Sequence, residues 1–471
     1  MKKFWPTIIL LSLWRFFIGT RHGLGVDESH YVLYGLNLDW SYFDHPPLIG
    51  WVQSVFLFIF GKHEWSARIP AILCGVLSSY LVFRFIKKIS QSEETAFWST
   101  LALNFSFLPS ALWIMFLPDT LLFILALWLL EILDHILSRE NKWDWIQLGV
   151  CLGLAGLSKY TAVFFIISVL GVAFTEKAWK KIRPLWFLVA TILGGVLVFP
   201  VFYWNMKHQW ISFSYQTSHV MGSTHFSLER FSVFLLGQIM AYSPFLTLAG
   251  IWGIWISRKN LTQTMRIALW IATPTFLFFT YTSMKDEVLP HWTLLSWGLI
   301  IPLGISLGIS RGRHFKWPVV ASGVVLVFVM AELSLQFLKF PPYQSPYADL
   351  VGWASLHGEV QAIIEKEPQG NFAIAVPNWT LGGRARFYLG DLAPVFVIDD
   401  RFDQYDLWEE GQKKAPDLLV LSWRGFDLKP NNTKKCKQIE PVISRTFSIN
   451  GSPVNSVQIT WCRGYRWQPD L

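Results

Sequence analysis

The residues best suited to chemistry fall in four short stretches. Residues 25–51, GVDESHYVLYGLNLDWSYFDHPPLIGW, set Asp27 beside Glu28 and follow them with Asp39, Asp44 and His45. FLPDTLLF carries Asp119, GLSKYTAV carries Lys159 and Tyr160, and MKDEVLPH carries Lys285, Asp286, Glu287 and His291. A carboxylate can take a proton from a reacting hydroxyl. A lysine at a membrane interface can hold a phosphate at headgroup depth. Each has a plainer alternative. The acids can belong to solvated loops, Asp119 can cap a helix, and Lys159 can reach out along apolar surface to water. Against the plain reading of the first stretch, its Tyr and Trp content should hold it at an interface, where an idle carboxylate is costly. His208, His219 and His225, with acids nearby, could gather a divalent metal. No HxxxH or HExxH spacing supports one, so no metal ligand is assigned. GxxxxGK[ST] and GxGxxG are also absent, leaving nucleotide use without a motif.

These stretches must be positioned by membrane-spanning elements. The 471-residue chain is 52% apolar and only 15% charged, with 38 Phe and 26 Trp, against roughly 25% charged in a soluble average. That excludes a cytosolic enzyme and a disordered chain. After Met1-Lys2-Lys3 an apolar run reaches Thr20. It contains Trp5, Trp14 and Arg15 and lacks a small-residue cleavage site, so an uncleaved first helix is expected. Further helices are expected near 67–86, 95–113, 118–137, 145–158, 161–175, 184–204, 231–257, 265–283, 291–310 and 317–338, about eleven spans in all. The 13-residue run Leu48–Phe60 falls short of the ~17–25 residues of a span and reads as an interfacial helix.

Loop charge orients this arrangement. One set of loops carries 17 Lys and Arg, the other seven. The positive-inside rule then puts the N-terminus in the cytoplasm of a multi-pass inner-membrane protein. An odd number of spans puts residues 341–471 outside. The bulky polar segments, 21–66, 205–230 and the C-terminal part, share that outer side, which is where chemistry is expected. The net charge of +8 lies in the membrane part, so it does not suggest nucleic-acid binding.

Two domains are expected: a transmembrane domain over 1–340 and a small extracytoplasmic α/β domain over 341–471, opened by Pro341-Pro342. Its strands are expected at 372–376, 395–398, 418–421, 442–449 and 454–461, with a helix over 348–366 and a hairpin turn at Asn450-Gly451. Cys74 and Cys151 read as helix core. Cys436 and Cys462 lie in the exported part, where a disulfide can persist.

The run DESHYVLYGLNLDWSYFDHPPLIGW resembles the first extracytoplasmic loop of bacterial GT-C glycosyltransferases, which include the lipid A aminoarabinose transferases and the protein O-mannosyltransferases. FLPDT, GLSKYTAV, Trp204-Asn205 and RFDQYDLW recur in the same bacterial subgroup. The resemblance extends over most of 1–410. It implies a polyprenyl-phosphate-linked sugar as donor, a large outer cavity and an essential first-loop acid. Carried over, that acid is Asp27, acting as base in an inverting transfer, and the catalytic set is completed by its neighbour Glu28 and by Asp119, the second-loop acid, which would position the acceptor or the base. A Lys follows the FDHPP-type acid in the aminoarabinose enzymes. Here His45 stands in its place, so Lys159 or Lys285 is expected to share the donor-phosphate contact. Asp44, Tyr160 and His291 would line the cavity and position substrate. The C-terminal part does not closely match the aminoarabinose enzymes, and the acceptor stays open among a lipid, a glycan and a protein.

Two other classes fit parts of the chain. A transporter or lipid flippase would explain Arg15, Glu131 and Asp134 within helices, although no internal repeat is evident. A non-catalytic sensor would use the exported part to bind a ligand.

Overall fold

The computed structural model describes residues 1–139, 141–221, 226–312, 314–367, 370–410 and 415–467. The chain divides into two compact units. The first holds residues 1–18, 38–52 and 68–330, and the second holds 19–37, 53–67 and 331–471.

The first unit is helical. Among the described residues, five helices are individually long and apolar enough to cross a membrane: Glu64–Ser90, Pro118–Ser138, Pro184–Lys207, Pro290–Ser310 and Lys316–Leu335. A sixth span forms if the pair Leu228–Ala241 and Pro244–Asn260, bent by 97°, crosses as one. Phe4–Gly19, Leu48–Phe60 and Tyr160–Thr175 are shorter apolar helices. Pro184–Lys207 exposes Leu185, Ile192 and Val196, a surface suited to lipid.

Two expected spans are interrupted. The segment 95–113 is two helices, Glu93–Phe105 and Phe107–Leu112, parted by an extended Ser106. A continuous helix would drive the Pro109 ring into the Phe105 carbonyl. The segment 231–257 bends at Ser243, whose φ is 75°, because Pro244 bars helical geometry in the residue before it. Elsewhere close packing needs glycine. A Cβ on Gly253 would meet the Gly304 carbonyl oxygen at 1.9 Å, so helices Pro244–Ser257 and Leu294–Ser310 cross backbone to backbone.

The second unit is built on a five-stranded sheet of order β2-β1-β3-β5-β4. Its strands are β1 (Phe372–Val376), β2 (Val395–Val397), β3 (Asp417–Trp423), β4 (Gln438–Ile449) and β5 (Ser452–Arg463). The β1 strand runs parallel to β2 and β3, while β5 is antiparallel to β3 and β4. Alternation sorts the core: Ile374, Val376, Leu419 and Leu421 bury one face, and Ala373, Ala375, Leu418 and Val420 the other. Asn450 and Gly451, at φ 50° and 75°, close the β4–β5 hairpin with the positive dihedrals such a turn needs. A disulfide joins Cys436 to Cys462.

The division between units does not follow the expected boundary at 341. Residues read as an outer loop form a helix, Val26–Leu36, and it belongs to the second unit. At its start Glu28 reaches back to accept from the Gly25 N–H at 3.1 Å. The helix lies against Trp379–Leu389, where a Cβ on Gly383 would come within 2.5 Å of Ser29 Oγ. Tyr388 strengthens the attachment. Its hydroxyl accepts from the Leu24 N–H at 3.0 Å and donates to Glu64 Oε1 at 2.9 Å.

Candidate active site

In the first unit the polar residues gather around Asp119 and Lys159. Pro118 opens its helix, so Asp119 falls in the first turn with no capping hydrogen bond. Lys159 ends the following helix, Lys142–Ser158, in an extended conformation. Ser158 Oγ donates to the Pro118 carbonyl at 3.1 Å and ties the two chain ends together. Lys159 Nζ then donates to both Asp119 oxygens at 2.8 Å. Only 9% of the lysine side chain and 6% of the aspartate side chain are exposed. The lysine therefore does not reach for water, and the aspartate is not a cap.

The wall of this pair comes from the 284–293 turn. His291 Nε2 lies 3.9 Å from Asp119 Oδ2, and Lys159 Nζ lies 5.8 Å from the centre of the Trp292 ring. The far end of the same turn does something else. Lys285 Nζ stands over the Phe226 and Tyr281 rings at 5.5 and 4.9 Å.

Tyr160, next in sequence to Lys159, has a buried hydroxyl near Ser41, Asn205 and Ser212, with the Asp44 charge nearby. This places the residue after Lys159 near the FDHPP loop, without a hydrogen bond among the described residues. That loop is held from residues 204–216: Trp204 Nε1 donates to Asp39 Oδ2 at 2.8 Å, Ser212 Oγ to the Tyr42 carbonyl at 3.0 Å, and Gln216 Nε2 to the Asp44 carbonyl at 2.9 Å. His45 Nδ1 lies 3.1 Å from Asp44 Oδ2. The first unit thus brings together Asp44, His45, Asp119, Lys159, Tyr160 and His291. Sequence reasoning missed Ser158, Ser212, Gln216 and Trp292. The only signal was the Trp204-Asn205 pair, which it noted without a role.

The second unit carries Asp27 and Glu28. Glu28 is buried and holds its helix terminus. Asp27 is half-buried one position earlier and makes no hydrogen bond or ion pair among the described residues. No group of three or more His, Cys, Asp or Glu arranged to hold a metal occurs among the described residues. His225 lies outside them, as does the His219 side chain.

The charges that favoured transport have local partners. Arg15, 1% exposed, donates to Asn104 Oδ1 at 3.0 Å, the Asn104 carbonyl at 3.2 Å and Ser110 Oγ at 3.1 Å. Glu131 accepts from Arg84 at 2.9 Å. Asp134 accepts from Lys88, and from Thr264 Oγ1 at 2.6 Å.

Residues 44–204 match the dolichyl-phosphate-mannose-protein mannosyltransferase family model, a stretch holding Asp44, His45, Asp119, Lys159 and Tyr160. The chain is 22% identical over 355 residues to the lipid A galacturonosyltransferase RgtD of Rhizobium johnstonii, covering 72% of each chain. It is 22% identical to undecaprenyl phosphate-alpha-4-amino-4-deoxy-L-arabinose arabinosyl transferase 2 of Proteus mirabilis, over 66% of this chain and 59% of that one. The fold matches ArnT from Cupriavidus metallidurans with TM-score 0.67 at 16% identity, covering 97% of both chains. The match to ArnT bound to undecaprenyl phosphate has TM-score 0.66 at 15% identity. At that coverage the shared fold includes the C-terminal sheet, where the sequence had shown no close match. By sequence and by fold, the chain is similar to the GT-C glycosyltransferases.

Proposed function

We propose that the protein transfers a sugar from a polyprenyl-phosphate donor to a lipid, glycan or protein acceptor at the outer face of the inner membrane. The observation that carries this reading is the buried Lys159–Asp119 pair, set beside His291 within the stretch that matches the mannosyltransferase model. An ammonium has three donors. Asp119 takes two and fixes the lysine's direction, leaving the third for a phosphate oxygen. The Proteus transferase and the undecaprenyl-phosphate-bound ArnT structure support a donor of this class. The 17-to-seven bias of loop charge supports a cytoplasmic N-terminus and, over an odd number of spans, an extracytoplasmic C-terminal part.

In the proposed step Asp27 takes the acceptor hydroxyl proton. The acceptor oxygen bonds to the anomeric carbon from the face opposite the phosphate. The carbon–oxygen bond to phosphate breaks with its electron pair, and configuration inverts. Lys159 stabilises the charge growing on the leaving phosphate. Asp27 suits the base because no partner among the described residues occupies its carboxylate. The test is Asp27→Asn in proteoliposomes supplied with lipid-linked sugar. Transfer should fall by about 10²–10⁴-fold with donor affinity retained. Full transfer at normal expression would remove Asp27 from the mechanism.

A further inference from the structure

We infer that a groove on the first unit holds an anionic glycerophospholipid, with an acyl chain along helix Pro244–Ser257 and the headgroup at the basic residues where that helix ends. The groove encloses about 860 Å³. One wall is a single face of the helix, Phe245, Leu248, Trp252 and Trp255, spaced three to four residues apart. These side chains are 47–57% exposed. Trp252 and Trp255 stack with ring centres 5.1 Å apart and still leave half of their surface open. The other wall is the segment 314–318. Its Phe315 ring is seated on Gly308, where a Cβ would meet it at 2.3 Å.

Depth and charge select the occupant. From Pro244, at the bend, to Trp255 the helix rises about 16 Å at ~1.5 Å per residue. That is about one leaflet of a ~30 Å hydrocarbon core. At the Trp255 end the charge is positive. The Arg258 guanidinium lies 4.6 Å over the Trp255 ring and donates to the Trp255 carbonyl at 2.7 Å. Arg311, just past Leu294–Ser310, donates from Nε to Ser257 Oγ at 2.8 Å, which brings it to the same helix end. Lys259 follows Arg258 in sequence, and exposed His314 lines the groove. Arg258, Lys259 and Arg311 form no ion pair among the described residues, whereas Lys316 is taken by Glu94.

Three unneutralised cations at the end of a leaflet-deep apolar groove match a lipid with a negative headgroup, and basic pockets between spanning helices take such headgroups. A zwitterionic lipid would leave the charge unmatched, and a soluble anion would leave the groove unused. The polyprenyl donor is a different case. Arg258, Lys259 and Arg311 belong to the loop set with 17 Lys and Arg, and Lys159 to the set with seven. Loop charge therefore assigns this cluster to the leaflet opposite the donor phosphate.

The test is native mass spectrometry of the full-length protein in micelles holding equal amounts of dioleoyl phosphatidylglycerol and dioleoyl phosphatidylcholine. Phosphatidylglycerol should be retained at least fivefold over phosphatidylcholine. The combined variant Arg258→Gln, Lys259→Gln, Arg311→Gln should bring the two lipids to parity. Lys259 makes no side-chain hydrogen bond or ion pair among the described residues, so Lys259→Gln alone should halve the preference at an unchanged melting temperature. That variant decides the matter if the combined one fails to fold. Lys180→Gln, at an exposed lysine outside the groove lining, should leave the preference unchanged. Equal retention of the two lipids by wild type, or equal loss in Lys180→Gln and Lys259→Gln, would overturn the inference. So would displacement of the bound phosphatidylglycerol by undecaprenyl phosphate, which would give the groove to the donor.

Discussion

The Lys159–Asp119 pair should be essential to stability and to turnover for separable reasons. Both groups are buried and share two 2.8 Å hydrogen bonds. Opposite unit charges 4 Å apart attract by about 4 kcal/mol at the effective dielectric of a protein surface. This pair is closer, so its attraction is no smaller. Removing one partner also strands the other as an uncompensated buried charge, and the cost of that is about 3–5 kcal/mol. We therefore expect Lys159→Met and Asp119→Asn each to cost about 3–5 kcal/mol. The double variant should lose less than their sum by at least ~2 kcal/mol, since it strands no charge. Reversible unfolding in mixed micelles would measure the cycle. Transfer from lipid-linked sugar in proteoliposomes would be read on the same variants. Loss of a stabilising cation should slow turnover by about 10²–10³-fold, and the double variant should stay slow while its stability recovers. A single Lys159→Met costing under ~1 kcal/mol, the range of exposed pairs, would refute the energetics. Recovered turnover in the double variant would refute the catalytic role and leave a purely structural ion pair.

Three further outcomes follow from the second unit. Burial pushes Asp403 up to about 7, with Asp399 and Asp406 adding to the effect, and its Oδ2 has no hydrogen-bond partner among the described residues. A raised carboxyl favours the folded state below its unfolded value near 3.8 and loses that advantage as pH climbs through 7. Asp403→Asn should therefore raise the melting temperature at pH 8, by a free energy on the order of 4 kcal/mol, and do nothing below pH 4. A pH-independent difference in thermal scans would contradict this. Cys436→Ser opens a 26-residue loop and should cost about 3.5 kcal/mol by loop-closure entropy, measured as the denaturant midpoint under non-reducing conditions. Gly383→Ala places a methyl against Ser29 Oγ and the His30 N–H. It should cost about 1–3 kcal/mol and slow transfer by shifting the Asp27 helix, whereas unchanged turnover would separate that helix from the chemistry.

What the sequence showed depended on the range of the contact. The β1–β5 strands and the Asn450-Gly451 turn were legible because alternation and turn chemistry are local. Asp119 and Lys159 were legible singly, as charges in otherwise apolar surroundings. Their pairing across 40 residues was not, because nothing in a single sequence reports which helix ends meet. The break at Ser106 and the bend at Ser243 were missed because apolar content alone reads through Pro109 and Pro244. The Val26–Leu36 helix was missed because its polar and aromatic residues resemble an interfacial loop.

The same distinction decides between transfer and transport. Buried charges in a membrane protein mark function only when their placement exceeds what packing demands. Among the described residues Arg15 bonds to Asn104 and Ser110, and these join three helices by neutral acceptors. Glu131 and Asp134 face Arg84 and Lys88 across one helix pair, Pro118–Ser138 and Glu64–Ser90. Each of these contacts is explained by the helices it fastens. Lys159 is different, because Ser158 already fastens its helix end to Pro118. The ion pair adds a directed cation beside a histidine and a tryptophan. A cation held that rigidly among substrate-sized polar groups suits a leaving phosphate better than a translocation path, which must release each contact in turn.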